Sequence, residues 1–281
     1  MNKIRLHFAM LLSISCAQSS TSNEEISSSL AENLLVQSIS YTKFQDSQSS
    51  NFIDNYYYEG SKIESRTETN LDTGNVQTYE YTYTNNLISS VHRFRADGDL
   101  ESEFNINYDS SQRVASYNLV SYSDDTSSTY WQAVFLYDND KLLHCDGQTW
   151  SSVEYKDIYE SVHLYTINGN GDFVHMNRVE DCSFSAMSTT SSYEVFAEYD
   201  DKPSPFSNIK GNNFVISSIL GVFTNSAVNG LYNNSTKQSA VLDDAEEIQT
   251  WVIEYNEFNH PQSMSWKREE STQENINIIY Y

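Results

Sequence analysis

The residues that could do chemistry in this chain are few and widely spaced. Cys16, Cys145 and Cys182 are its three cysteines, and His92, His144, His163, His175 and His260 stand singly along its body. Zinc sites draw ligands from spacings such as Cys-x-x-Cys or His-Glu-x-x-His, and neither occurs here. The acidic pairs Asp97 and Asp99, Asp138 and Asp140, and Asp243 and Asp244 are of the type that glycoside hydrolysis or calcium ligation uses. They lie in turn-like stretches and lack the rest of a calcium loop. A Gly-x-Ser-x-Gly elbow, a P-loop and a dinucleotide-binding glycine turn are likewise missing from the sequence. No catalytic residue, metal or cofactor is therefore assigned, and a non-enzymatic protein is expected. The rings of Tyr79, Tyr81, Tyr83, Trp131, Trp150 and Trp251 are candidates for stacking on a ligand, against the commoner role of strand aromatics as core and cross-strand pairs.

The elements that carry these residues repeat. A strand-like run ending in an aromatic, a polar turn and a second run recur from Asn55, Thr78, Phe104, Ala133, His163 and Trp251, with a truncated copy from Val195. Within each run the apolar residues alternate, as in Tyr79, Tyr81 and Tyr83 or Phe104, Ile106 and Tyr108, which places them on one face of a pleated strand. Between the runs lie Asn85-Asn86, Asp109-Ser110-Ser111, Asp138-Asn139-Asp140 and Asn168-Gly169-Asn170-Gly171. These residues tolerate positive φ or bond their own backbone, as tight hairpin turns require. A single hairpin cannot bury its own face, so the units must stack. The expected fold is mainly β: an antiparallel meander of repeated hairpins, either a twisted open sheet or barrel-like, with one short helical insertion.

Tyr108-Asp109 to Gln112-Arg113-Val114, with Tyr137-Asp138-Asn139-Asp140-Lys141-Leu142, resembles the tyrosine-aspartate (YD) repeat of Rhs-type shell proteins. A closer resemblance is to a family of secreted lipoproteins of Bacteroidota, of unknown function, that carry degenerate copies of this repeat. In that family a late strand runs into a Tyr-Asp…Asn-Pro-Phe segment, and Tyr199-Asp200-Asp201-Lys202-Pro203-Ser204-Pro205-Phe206 is similar, with Ser204 in place of Asn. The resemblance spans residues 34–281 and implies a β-hairpin repeat domain at the cell envelope.

Composition agrees with such a protein. Aromatics make up 14% of the 281 residues and include 21 tyrosines, enough rings to fill a sheet core. With 39 acidic against 16 basic residues the net charge is −23, which excludes nucleic acid as a partner because phosphate binding needs clustered cations. At the N-terminus Lys3 and Arg5 precede an apolar stretch, Leu6 to Ile14, and then small residues, the three parts of a secretory signal. Residues 1–17 are read as that signal. Cleavage after Ala17 and lipid attachment at Cys16 both fit, and the lipoprotein family places a cysteine here. Residues 18–33 read as a flexible Ser-, Thr- and Glu-rich tether, and 34–281 as the repeat domain. Cys145 and Cys182 either form a disulfide in an oxidising compartment or are separate strand residues.

The pattern breaks after Phe206. Ile216, Ile219, Leu220 and Phe223 fall at helical spacing behind Asn212-Asn213, residues suited to a helix N-cap. A second helical piece is expected at Asp243 to Ile248, giving an insertion over about 206–248 that either plugs the sheet or lines a ligand groove. The expectation is an outer-membrane lipoprotein, facing periplasm or cell surface, whose hairpin domain binds glycan or a surface partner without catalysis. The alternative is a passive, shell-like scaffold.

Overall fold

The computed structural model describes residues 34–281 except 46–47, 125–126, 140, 152–157, 185–186, 214, 217–222, 225–231, 243–244 and 269–270. The signal, Cys16 and the tether lie outside the described residues. The chain runs through β1 (Val36–Gln45), β2 (Gln48–Glu59), β3 (Lys62–Asn70), β4 (Val76–Thr84), β5 (Leu87–Phe94) and β6 (Leu100–Tyr108). It continues as β7 (Val114–Asp124), β8 (Ser127–Asp138), β9 (Lys141–Ser151), β10 (Ile158–Ile167) and β11 (Phe173–Phe184). After β12 (Met187–Pro203) it leaves the sheet, returning as β13 (Asn233–Leu242), β14 (Ala245–Tyr255), β15 (Pro261–Arg268) and β16 (Ser271–Tyr280). Each strand pairs antiparallel with the one before it, and β1 pairs with β16 from Val36↔Tyr280 to Lys43↔Glu274. The meander is therefore a closed barrel with no free edge.

One local device recurs around the ring. An aromatic at the end of a hairpin's first strand, or one residue before it, sits opposite the first or second residue of the next, and the register shifts beside it. This holds for Tyr58↔Ile63, Tyr83↔Ile88, Tyr108↔Val114 and Tyr255↔Pro261. At four tyrosines the hydroxyl bonds backbone of the preceding strand, whereas that of Tyr255 bonds Asp200 and that of Tyr58 has no hydrogen-bond partner among the described residues. Tyr108 donates to the Ile88 carbonyl at 2.6 Å, Tyr137 to Val114 at 3.0 Å, and Tyr280 to Pro261 at 2.9 Å. Tyr83 accepts from the Ile63 N–H at 3.1 Å. A cation covers two of these rings from the residue just before the tie: Lys62 over Tyr83 and Arg113 over Tyr137.

The turns follow the expected chemistry. Asn85 and Asn86 both have positive φ, as do Gln112, Asn139 and Gly171. In three five-residue turns one side-chain oxygen accepts two backbone N–H groups: Asp109 from Ser111 and Arg113, Asn168 from Asn170 and Asp172, and Asn256 from Phe258 and His260. In Asp97-Gly98-Asp99 the Asp97 carboxylate accepts the Asp99 N–H, so it is engaged in its own turn.

The segment between β12 and β13 folds into one end of the barrel as a plug. Phe206, Ile209, Val215, Ile216 and Phe223 are buried in the common core with inward residues such as Tyr56, Tyr81 and Ile88. Its rim is tied to that end by the Lys210 N–H on Ser61 O and by Asn208 Nδ2 on Leu34 O. At Gly211, with φ +80°, a Cβ would lie 3.0 Å from the Asn86 carbonyl oxygen, so only glycine allows this approach. The base is closed by Asp172, which accepts the Tyr232 N–H, and by buried Asn234, whose amide reaches Asp200 and the carbonyls of Lys202 and Pro203. Asp200 also accepts from Tyr255.

Two expectations are corrected here. The insertion ends at 232, not 248, because Asn233–Leu242 and Ala245–Tyr255 are strands, with Leu242 paired directly to Ala245. The helix expected at Asp243 to Ile248 is thus part of a hairpin. The described part of the earlier helix is a helical turn at Val215 and Ile216, capped as expected by Asn213 Oδ1 on the Ile216 N–H at 3.1 Å; 217–222 lie outside the described residues.

If the tyrosine ties set the hairpin spacing, Tyr108→Phe keeps the ring and leaves the Ile88 carbonyl without its bond. Equilibrium urea unfolding should show a loss of about 1 kcal/mol. A change indistinguishable from zero would mean that ring packing alone holds adjacent hairpins.

Candidate functional site

The barrel's two ends differ. One carries the turns at 60–61, 85–86, 109–113 and 256–260, the plug, and both Leu34 and Tyr281; at the other the plug is absent among the described residues. On the inner wall toward this second end, β14, β15, β16 and β1 to β6 bring together a belt of rings and charges. Register sets Trp251 opposite Trp266, Trp266 opposite Glu274, and Glu274 opposite Lys43. It continues through Tyr41↔Phe52, Asp54↔Glu68, Glu68↔Gln77, Arg66↔Tyr79 and Tyr79↔Arg93.

The belt has a sealed floor and a solvated wall. In the floor, Asp54 and Arg66 are fully buried and Glu274 and Tyr41 nearly so. Arg66 Nη1 lies 3.5 Å from Asp54 Oδ2, Nη2 lies 3.8 Å from Glu68 Oε2, and the guanidinium stacks 3.7 Å from the Tyr79 ring. The plug reaches this floor: Thr224 donates to Asp54 at 2.9 Å, and the Tyr56 hydroxyl is 2.9 Å from the Phe223 carbonyl oxygen. Burial pushes the Asp54 carboxyl up to about 6, against the opposing pull of Arg66.

In the wall above, Phe52, Trp266, Arg93 and Glu101 keep partial exposure, while Trp251 and Tyr41 are buried. Trp251 and Trp266 stack at 6.4 Å and 25°, and Tyr41 and Phe52 at 5.1 Å and 14° with Lys43 over both rings. Arg93 pairs with Glu101 at 2.6 Å, and Gln77 donates to the same carboxylate at 3.1 Å. Trp131, 36% exposed, stands on the same inward face of β8 as buried Ala133 and Phe135.

The structure redistributes the residues expected to stack on a ligand. Tyr79, Tyr81 and Trp251, 6%, 8% and 6% exposed, belong to the core, and Tyr83 packs against it in its tie. They cannot serve as platforms on the outer surface. Trp131 is the one of the six that is shown to be open to solvent, while the Trp150 side chain lies outside the described residues. Trp266, Phe52 and the charged belt were missed, because Trp266 joins Trp251 only through cross-strand register. The disulfide is also corrected. Cys145 lies opposite Val162 of β10, whereas Cys182 is on β11, across β10 and past Asp181↔Glu160. Two strand spacings of about 4.8 Å put the Cα atoms beyond the roughly 7 Å that a bridge can span.

The outer face is polar. Glu80, at the centre of β4, is exposed, as are Asn107, Asn118, Gln132 and Glu198 on other strands. Outward apolar side chains are spread over several strands, among them Tyr57, Val134, Leu136, Leu164, Val252 and Ile279, while Phe196 stands between Glu194 and Glu198. A barrel that crosses a bilayer presents an apolar band about 25 Å tall. The mid-strand carboxylate Glu80 interrupts any such band on β4.

No known family model matches the chain, and no curated protein matches its sequence. Among solved structures it is similar to a porin-like protein from Bacteroides vulgatus, with TM-score 0.50 and 11% identity over 88% of this chain and 99% of that one. It is also similar to a porin-like protein from Bacteroides uniformis, with TM-score 0.49 and 11% identity over 88% and 96%. At this identity the likeness is one of fold.

A carboxyl whose pKa rises on folding contributes stability below its unfolded value, and that contribution fades as pH rises through its folded value. Between about pH 4 and pH 7.5, wild type should lose up to about 3 kcal/mol relative to Asp54→Asn, which stays neutral throughout. Parallel pH–stability curves from chemical unfolding would rule out an ionisable Asp54 beneath the plug.

Proposed function

We propose that this protein is a non-catalytic binding barrel of the bacterial envelope, which takes a glycan or a similar partner through its unplugged end. The observation that carries the reading is the solvated belt of rings and hydrogen-bonding side chains above a sealed floor. Trp266, Phe52, Trp131, Gln77, Glu68, Arg93 and Glu101 stand on the inner wall of a closed barrel whose other end is filled. Concave sites that join apolar rings to a few fixed polar groups are the usual form of a ligand site. The fold likeness to a porin-like protein from Bacteroides vulgatus and the resemblance to secreted Bacteroidota lipoproteins support an envelope location.

In this reading the lipid on Cys16 and the tether 18–33 hold the barrel at the outer membrane. Leu34 and Leu35 enter at the plugged end, where Leu35 O accepts the Tyr281 N–H. An N-terminal anchor then turns the plug toward the membrane and the open end away from it. Closure bears on the alternative of a shell-like scaffold: with β1 paired to β16, no strand edge remains for the sheet to extend into a larger wall.

Screening the full chain on a glycan array, followed by titration of intrinsic Trp fluorescence, tests this. The expected outcome is saturable binding that changes Trp emission and weakens at least about tenfold, the scale of about 1.4 kcal/mol, in Trp266→Ala. Binding left unchanged by that substitution would move the site off the inner wall, and silence across the array would sink the glycan reading.

A further inference from the structure

We propose that the barrel discriminates by charge, accepting neutral, hydroxyl-rich glycan segments and turning away those bearing uronate or sulfate; this rests on the inner-wall binding reading above. The inference comes from how the cations of the belt are spent. Arg66 is held between Asp54 and Glu68 with its face on Tyr79. Arg93 is committed to Glu101, and Lys43 covers the Tyr41 and Phe52 rings opposite Glu274. At the same rim Arg268 pairs with Glu247 at 2.5 Å. Each of these cations already faces a carboxylate or a ring, and an entering anion would have to displace its partner.

The carboxylates of Asp54, Glu68, Glu101 and Glu274 outnumber the cations Arg66, Arg93 and Lys43 on this stretch of wall. Low-dielectric walls focus such an excess into the lumen, and the net charge of −23 over the chain adds to it. A sugar hydroxyl both donates and accepts, so it can bond to Glu68 or Glu101 as donor and to Gln77 or Arg93 as acceptor without breaking an ion pair. The partly exposed Trp266 ring suits the apolar C–H face of a pyranose, which needs no charge.

The test sets matched probes against the full chain: β-glucan, mannan and galactan oligosaccharides beside polygalacturonate, alginate and chondroitin sulfate. Binding should be confined to the neutral set, with dissociation constants that shift less than about twofold between about 20 and about 500 mM sodium chloride. The double variant Glu68→Gln, Glu101→Gln, checked for an unchanged far-ultraviolet spectrum, should gain at least about tenfold affinity for polygalacturonate at low salt. Wild-type binding to a uronate or sulfated probe, strengthening as salt falls, would overturn the charge rule while leaving a lumenal site standing. Failure of the double variant to gain affinity would remove the belt as its source. No binding to either set would overturn the binding reading itself.

Discussion

The rest of the structure hangs on a buried phenol that must find a partner. Tyr83, Tyr108, Tyr137 and Tyr280 each pack a ring against the core and carry a hydroxyl that, taken out of water, costs free energy unless it is bonded. The shift in register beside it supplies the answer. Where the second strand begins, a backbone carbonyl or N–H is left free of the ladder, and the tyrosine of the next hairpin reaches it, as Tyr108 does to Ile88 and Tyr137 to Val114. Ring burial and hydroxyl pairing are thereby satisfied by one contact, and that contact fixes the step from hairpin to hairpin. Among the described residues the step links the hairpins from β2 to β9 and joins β16 to β15, where the sheet comes back to its first strand.

Much of this was legible in the sequence, for a physical reason. Alternation of rings and the turn residues are local, so Tyr79, Tyr81 and Tyr83, and the positive-φ asparagines at 85 and 86, announced their hairpins. Closure was not legible. It depends on Val36 meeting Tyr280, a pairing with no local signature. Nor did alternation say which face turns inward: the rings of β4 were as readable for a ligand platform as for a core, and only the plug's Phe223, packed on Tyr81, decides it. The stretch Glu246-Glu247-Ile248 misled because two acids and an aliphatic suit a helix as well as an edge of a strand, and the cross-strand pairing Val241↔Glu246 overrides so weak a preference. The sealed floor was invisible for a similar reason, since Asp54, Arg66 and Glu274 come from three strands.

The plug and the buried charges explain one another. Sealing Asp54 and Arg66 from water is expensive for both, and their separation of 3.5 Å is longer than a good hydrogen bond. What holds them is the surrounding polar and aromatic shell: Thr224 from the plug, Tyr56 beside it, and the Tyr79 face under the guanidinium. The plug's polar end therefore has a partner waiting at one depth in the barrel. Its apolar residues could slide along a wall of rings at little cost, whereas Thr224 meets Asp54 at a single height.

That height has consequences for function. A barrel of this circumference filled throughout with side chains would have no interior surface to offer, and one left unplugged would be a channel. Among the described residues the plug reaches the Asp54–Arg66 layer through Thr224. Beyond that layer the described inner wall carries Trp266, Phe52 and the Arg93–Glu101 pair. On the outside, carboxylates such as Glu80 are exposed. On the described strands the rings thus face inward, and the charges that share the inner wall with them stand in pairs such as Arg66–Asp54 and Arg93–Glu101.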